Sequence, residues 1–154
     1  MCPSHSTVRG ILGELMAEAD RVTVTDMDAG LEHLSRGTVK HVDILLIVVE
    51  PYYRSLETAF RTHNLARELG IERDLVVANK VRTPRDEEAI REFCQRNHLN
   101  IIAAIPYDEQ LIEAERLGKS PLDHDACDKG IAEILRLAQV LQTDTPPPHV
   151  RTGT

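Results

Sequence analysis

Four apolar runs alternate with stretches of helical periodicity along the chain, and together they predict an α/β fold. Strands are predicted at Arg21–Met27, Asp43–Glu50, Asp74–Val81 and Asn100–Pro106. Ile44–Val49 and Leu75–Ala78 are continuous in apolar residues, which predicts burial on both faces, as in a parallel sheet. Between the strands, Leu56, Ala59, Phe60, Ala66 and Leu69 fall on one helical stripe, and Gly70 is placed to end it. Ile90, Phe93 and Cys94 give the next helix an inner face. Ile131, Ile134, Leu135, Ala138 and Leu141 do the same for the last one.

Punctuation residues sharpen these boundaries. Thr83 reads as an N-cap, with Pro84 at the first helical position and Asp86, Glu87 and Glu88 near the positive end of the dipole. Asp108 is placed to cap a short helix through Leu117, closed by Gly118 and stopped by Pro121. At the front, Val8, Ile11, Leu12 and Leu15 predict a helix from about Ser6 to Ala19. From Thr143 to Thr154 there is no periodicity, and Pro146, Pro147 and Pro148 follow one another, so 143–154 is expected to be a disordered tail beside one domain over 1–142. The expected architecture is a partial open, mostly parallel sheet with flanking helices and its sites at the carboxyl ends of the strands.

Length and charge narrow the function. A chain of 154 residues suits one domain with a real core. A formal net charge of −7 argues against a nucleic-acid partner, because phosphate neutralisation needs clustered Lys and Arg. No apolar run is long enough to span a membrane, and Met1–His5 does not read as the start of a secretory signal. Cys2, Cys94 and Cys127 do not make a disulfide framework. A cytoplasmic protein is expected.

The chemistry concentrates near two strand ends. Asp26, at the end of the first predicted strand, is followed four residues later by Gly30. A carboxylate there can hold a magnesium-bound water, and a glycine lets the backbone approach a γ-phosphate. The G-x-x-x-x-G-K-[S/T] loop that grips phosphate is nowhere in this sequence. Gly118-Lys119-Ser120 imitates its tail, but Glu113 stands where the first glycine belongs and Pro121 follows, so it reads as a helix C-cap. Asn79 and Lys80 end the third predicted strand. Proteins that read guanine with this dipeptide place an aspartate two residues after the lysine, where this chain has Arg82. The Asn79 amide can both donate and accept along an adenine edge, or simply end a strand in a turn. Cys2 with His5, and His124 with Cys127, offer zinc-type donors, although the two pairs are far apart in sequence.

Taken in order, Asp26-Met-Asp-Ala-Gly-Leu-Glu-His33, Arg36-Gly-Thr38, Val49-Glu-Pro51, Asn79-Lys-Val81 and Ile105-Pro-Tyr-Asp108 resemble the CooC family. These are ATPases that help insert nickel into carbon monoxide dehydrogenase and are related to MinD and the nitrogenase iron protein. The resemblance runs from about Cys2 to Leu141. It implies a dimeric deviant-Walker ATPase that binds ATP or ADP with magnesium. Asp26 would support the magnesium, Gly30 would sense the γ-phosphate, and Asn79 and Lys80 with Pro106, Tyr107 and Asp108 would form the base side. Cys2 would match the second cysteine of a C-x-C pair that binds metal, nickel or zinc, across a homodimer. Carbon monoxide dehydrogenase would be the client. The family's phosphate loop, first switch aspartate and first metal cysteine have no match, so the chain is expected to be the C-terminal part of such a protein, inactive alone and binding ATP or ADP with magnesium weakly or not at all. The alternative is a non-catalytic α/β interaction module that has kept the sheet as a partner surface.

Overall fold

The structure, a computed structural model, describes residues 22–27, 42–123 and 128–143. Among these, three strands lie side by side in chain order: β1 (Leu45–Val49), β2 (Asp74–Val81) and β3 (Ile101–Pro106). All pairing is parallel, with Leu45 opposite Asp74 and Val76 opposite Ile101. Helices α1 (Tyr53–Glu68) and α2 (Pro84–Arg96) make the crossovers. After β3 come α3 (Glu109–Arg116), a single 3₁₀ turn (Pro121–Asp123) and α4 (Asp128–Thr143). The expected α/β fold with an open parallel sheet is the one observed.

The core follows from the period of two along each strand. Ile47 and Val49 of β1 and Val76 and Ala78 of β2 share one face, where Leu56 and Ala59 of α1 and Ile90 and Cys94 of α2 close over them. Val77, Ala103 and Ile105 share the other face and meet Leu137 of α4. Strand β2 is buried from Asp74 to Ala78, as its continuous apolar run predicts. Burial pushes the Cys94 thiol up to about 11, so it is a core residue with no reactive thiolate at neutral pH.

Helix ends obey the predicted punctuation. Thr83 accepts from the Asp86 amide at 3.2 Å while Asp86 accepts from the Thr83 amide at 2.9 Å, a reciprocal capping box. Gly70 (φ 79°) and Gly118 (φ 64°) take the left-handed conformation just past α1 and α3. In each case the next amide reaches back, Ile71 to Ala66 and Lys119 to Ala114, at 2.9 Å. Gly118-Lys119-Ser120 is therefore a helix terminus, as expected.

Several expectations are corrected. The strand predicted over Arg21–Met27 does not form in the part described: residues 22–27 are irregular, and Val22 and Val24 stand 82% and 88% exposed. Alternating Val and Thr suit a strand only when a neighbouring strand takes up their backbone groups, and none does so here among the described residues. The run over β1 is not buried on both faces, because α4 covers the second face beside β3 and leaves Leu46 and Val48 open above β1. In α4 the predicted stripe is rotated. Gly130 is buried and Leu137 packs on the sheet, while Ile134 and Leu135 are exposed, since this helix is apolar around much of its circumference and packs mainly against β3. The helix predicted over Ser6–Ala19 and the tail beyond Thr143 lie outside the described residues.

Among the described residues, the amino end of the sheet holds a buried contact between a histidine and a carboxylate. His63 of α1 contacts Asp74 at the start of β2 through Nδ1 and Oδ2, with side chains 17% and 4% exposed. Removing His63 leaves a buried carboxylate without its partner, so His63→Ala is expected to lower stability by about 3 kcal/mol in urea unfolding. A change within about 0.5 kcal/mol, the scatter of surface substitutions, contradicts that reading.

Candidate functional site

The carboxyl ends of the three strands form a continuous rim. β2 loses regular register between Ala78 and Val81, which frees Asn79 and Lys80 from the ladder, and pairing resumes with Val81 opposite Pro106. Lys80 takes a left-handed φ of 54°, uncommon for a residue with a Cβ and favourable only where neighbours fix it. Two contacts do so. The Asn79 side-chain oxygen accepts the Lys80 amide at 3.0 Å, and Lys80 Nζ donates to Glu50 Oε1 at 2.7 Å across the β1–β2 gap. On the other side of β2, the Tyr107 amide donates to the Val81 carbonyl at 2.9 Å. Arg82 then lies over the Tyr107 ring, its guanidinium carbon 3.6 Å from the centroid.

The rim carboxylates are already engaged. Glu50 holds the Lys80 ammonium. Asp86 accepts the amides of Arg82 at 3.1 Å and Thr83 at 2.9 Å. Asp108 caps two helices at once, accepting from Gln110 N of α3 at 2.9 Å and from Gly130 N of α4 at 3.3 Å. Asn79 is half-buried, its oxygen accepts from its own chain, and its NH₂ group is a further donor at the rim. The rim is rich in donors. That composition suits a ligand edge rich in acceptors, such as the ring nitrogens of a purine.

Of the residues predicted from sequence, Asn79, Lys80, Pro106, Tyr107 and Asp108 are brought together here. Asp26 is not among them: it is exposed, and its neighbour Met27 packs with Leu45, Ala66 and Ile71 at the amino end of the sheet. Gly30, Cys2, His5, His124 and Cys127 lie outside the described residues. Among the described residues no group of three or more His, Cys, Asp or Glu is arranged to hold a metal ion. Sequence reasoning missed the Glu50 clamp and the Arg82 stack. Arg82 carried a signal in occupying the position where guanine readers carry aspartate, but its partner Tyr107 is 25 residues away in sequence.

The hydrogen bond and charge of Glu50 raise the Lys80 ammonium above its ordinary value of 10.5. A raised value in the folded state means that the pair's contribution is fully present below the unfolded value and is lost as pH rises through the folded one. Glu50→Gln is therefore expected to return the Lys80 titration towards its ordinary position, followed by NMR of the lysine side chain. A titration unmoved by the substitution contradicts the clamp.

Comparison with known proteins fits this geometry. The CobQ/CobB/MinD/ParA nucleotide binding domain matches residues 6–122. An uncharacterized ATP-binding protein of Methanocaldococcus jannaschii is 40% identical over 127 residues, 82% of this chain and 49% of that protein. The carbon monoxide dehydrogenase accessory protein CooC of Rhodospirillum rubrum is 37% identical over 123 residues, 80% of this chain and 46% of that protein. The chain thus spans about half the length of the curated relatives it matches. The MinD cell division protein of Aquifex aeolicus shares the fold, with a TM-score of 0.57 at 22% identity, covering 71% of this chain and 48% of that one. A parallel sheet whose carboxyl ends present Asn79, Lys80 and Tyr107, in a sequence matched over 6–122, places the chain in the CobQ/CobB/MinD/ParA nucleotide-binding-domain family, where it is CooC-like.

Proposed function

We propose that this chain supplies the base-binding side of an ATP site in a CooC-like protein that acts in maturation of carbon monoxide dehydrogenase by nickel insertion. The observation that supports it is the Asn79 amide, its oxygen held by the Lys80 amide, at the carboxyl end of β2 where Val81 pairs with Pro106, in a chain of a nucleotide-binding family. Asn79 reads the adenine edge, and Tyr107 with Pro106 bounds the base pocket. Lys80 holds the turn that presents Asn79. Asp108 fixes α3 and α4 behind it. Nickel is the cargo in this reading. Cys2 residues paired across a homodimer would hold it, with His5 from each chain as further donors.

Hydrolysis needs more than this rim. Phosphoryl transfer is driven by backbone amides, a lysine and magnesium arranged around the phosphates, and the sequence has no phosphate loop. Magnesium bound with ATP supplies charge neutralisation at the phosphate oxygens. Asp26 is exposed beside Met27, which packs at the amino end of the sheet, and its magnesium role, with Gly30 at the γ-phosphate, is part of this proposal.

Photoaffinity labelling with an azido-adenine nucleotide tests the site. Label is expected on peptides holding Asn79–Arg82 or Tyr107, to be competed by ATP, and label elsewhere contradicts the proposal. The 154-residue chain assayed alone is expected to show no ATP turnover. Turnover that is abolished by Asp26→Ala would overturn that expectation. For the client, cells lacking this chain are expected to accumulate nickel-poor carbon monoxide dehydrogenase, and a normal nickel content contradicts the maturation role.

A further inference from the structure

Among the described residues β1 is an edge of the sheet, paired with β2 alone. The Leu45 amide donates to the Arg73 carbonyl at 2.9 Å. The alternation along a strand therefore turns the backbone groups of Leu45, Ile47 and Val49 towards β2, and those of Leu46 and Val48 outwards. Glu50, the next outward-turned residue, is closed off locally. Its amide donates to Ser55 Oγ at 3.0 Å and its carbonyl accepts from the Tyr52 amide at 2.7 Å. Leu46 and Val48 also stand 37% and 59% exposed on the face away from α1, where α4 packs mainly against β3. Ile44–Val49 holds no charge, proline or glycine, the devices that keep a bare edge from pairing. Edge and face are open at the same two residues.

Size and handedness define what fits there. A second copy of the chain does not: α1 lies mainly over β1, paired edges stand about 4.8 Å apart, and two packed helices need about 8–10 Å between their axes. A helix alone does not fit either, because its width of about 10 Å spans two strands and the open face is one strand wide. The occupant has to bring a strand and a helix together. Between β1 and β2 the chain steps across the sheet with α1 on one face, so a right-handed unit with its helix on the other face steps outwards from β1. We propose that β1 is a docking edge for a polypeptide segment made of an apolar strand joined to an amphipathic helix. The strand extends the sheet at Leu46 and Val48, with main-chain bonds supplying affinity, and the helix covers their side chains. The occupant is assigned to the portion of the curated relatives that this chain, spanning about half their length, does not match. The inference stands apart from the nucleotide reading, since no ligand and no rim side chain enters it.

The probe is the portion of Rhodospirillum rubrum CooC that this chain does not match, co-expressed with the 154-residue chain. Sedimentation is expected to show a complex with one copy of each. Hydrogen exchange at the Leu46 and Val48 amides is expected to slow by about tenfold or more on assembly. Val48→Lys places a charge beneath the incoming helix and is expected to weaken the complex by about tenfold or more. Leu122→Lys, on the 3₁₀ turn after α3, is expected to leave it unchanged. Circular dichroism and the dispersion of core resonances such as Ile90 verify that each variant is folded. Protection of Leu46 and Val48 in the chain alone overturns the proposal, because the chain's own residues then cover the edge. Self-association of the chain that Val48→Lys abolishes overturns it in favour of a second copy. Absence of a complex, or a complex indifferent to Val48→Lys, overturns it as well.

Discussion

The backbone of β2 runs buried from Asp74 to Ala78 and must then leave the sheet without abandoning its polar groups. The way it leaves determines everything at the carboxyl edge. The ladder slips after Ala78, Lys80 turns left-handed, and Asn79 folds back to take the Lys80 amide. That turn would be strained in isolation. It is held from one side by Glu50 at the end of β1 and from the other by the Val81–Tyr107 backbone bond at the end of β3. Buried strand, strained turn and flanking clamps form one unit, and the side chains proposed to read a base are those the unit projects.

Behind the rim, the fold fixes the same elements from the opposite end. His63 ties α1 to the start of β2, and the capping box at Thr83 starts α2 immediately after the turn. Asp108 joins α3 to α4, so the segment that carries Tyr107 is braced by two helices rather than one. These contacts account for why the arrangement at Arg82 and Tyr107 is specific even though both residues stand at the surface of the sheet.

Much of this was legible in the sequence, and the failures have physical causes. β2 matched its predicted bounds because continuous apolar residues have few alternatives to burial on both faces. The caps at Thr83, Asp108, Gly70 and Gly118 were legible because their chemistry is local. Residues 22–27, the described part of the strand expected over Arg21–Met27, are irregular because pairing depends on a neighbour the pattern cannot supply. The rotated face of α4 failed for a related reason, since a helix apolar on several sides does not name the side that will be covered. Among the candidate site residues, Asn79 and Lys80 were singled out by their place at a strand end and Tyr107 by the resemblance to CooC. Glu50 and Arg82 were missed as parts of the site because their partners are remote in sequence, 30 and 25 residues away.

We propose that a nucleotide docks at the carboxyl-end rim of the sheet, in a chain of a nucleotide-binding family. Hydrogen exchange of the 154-residue chain with and without saturating ATP measures that directly. The account predicts slowed exchange at 79–83 and 106–109, with the amino end around His63 and Asp74 unchanged. Slowing confined to the amino end, or spread evenly over the chain, contradicts it.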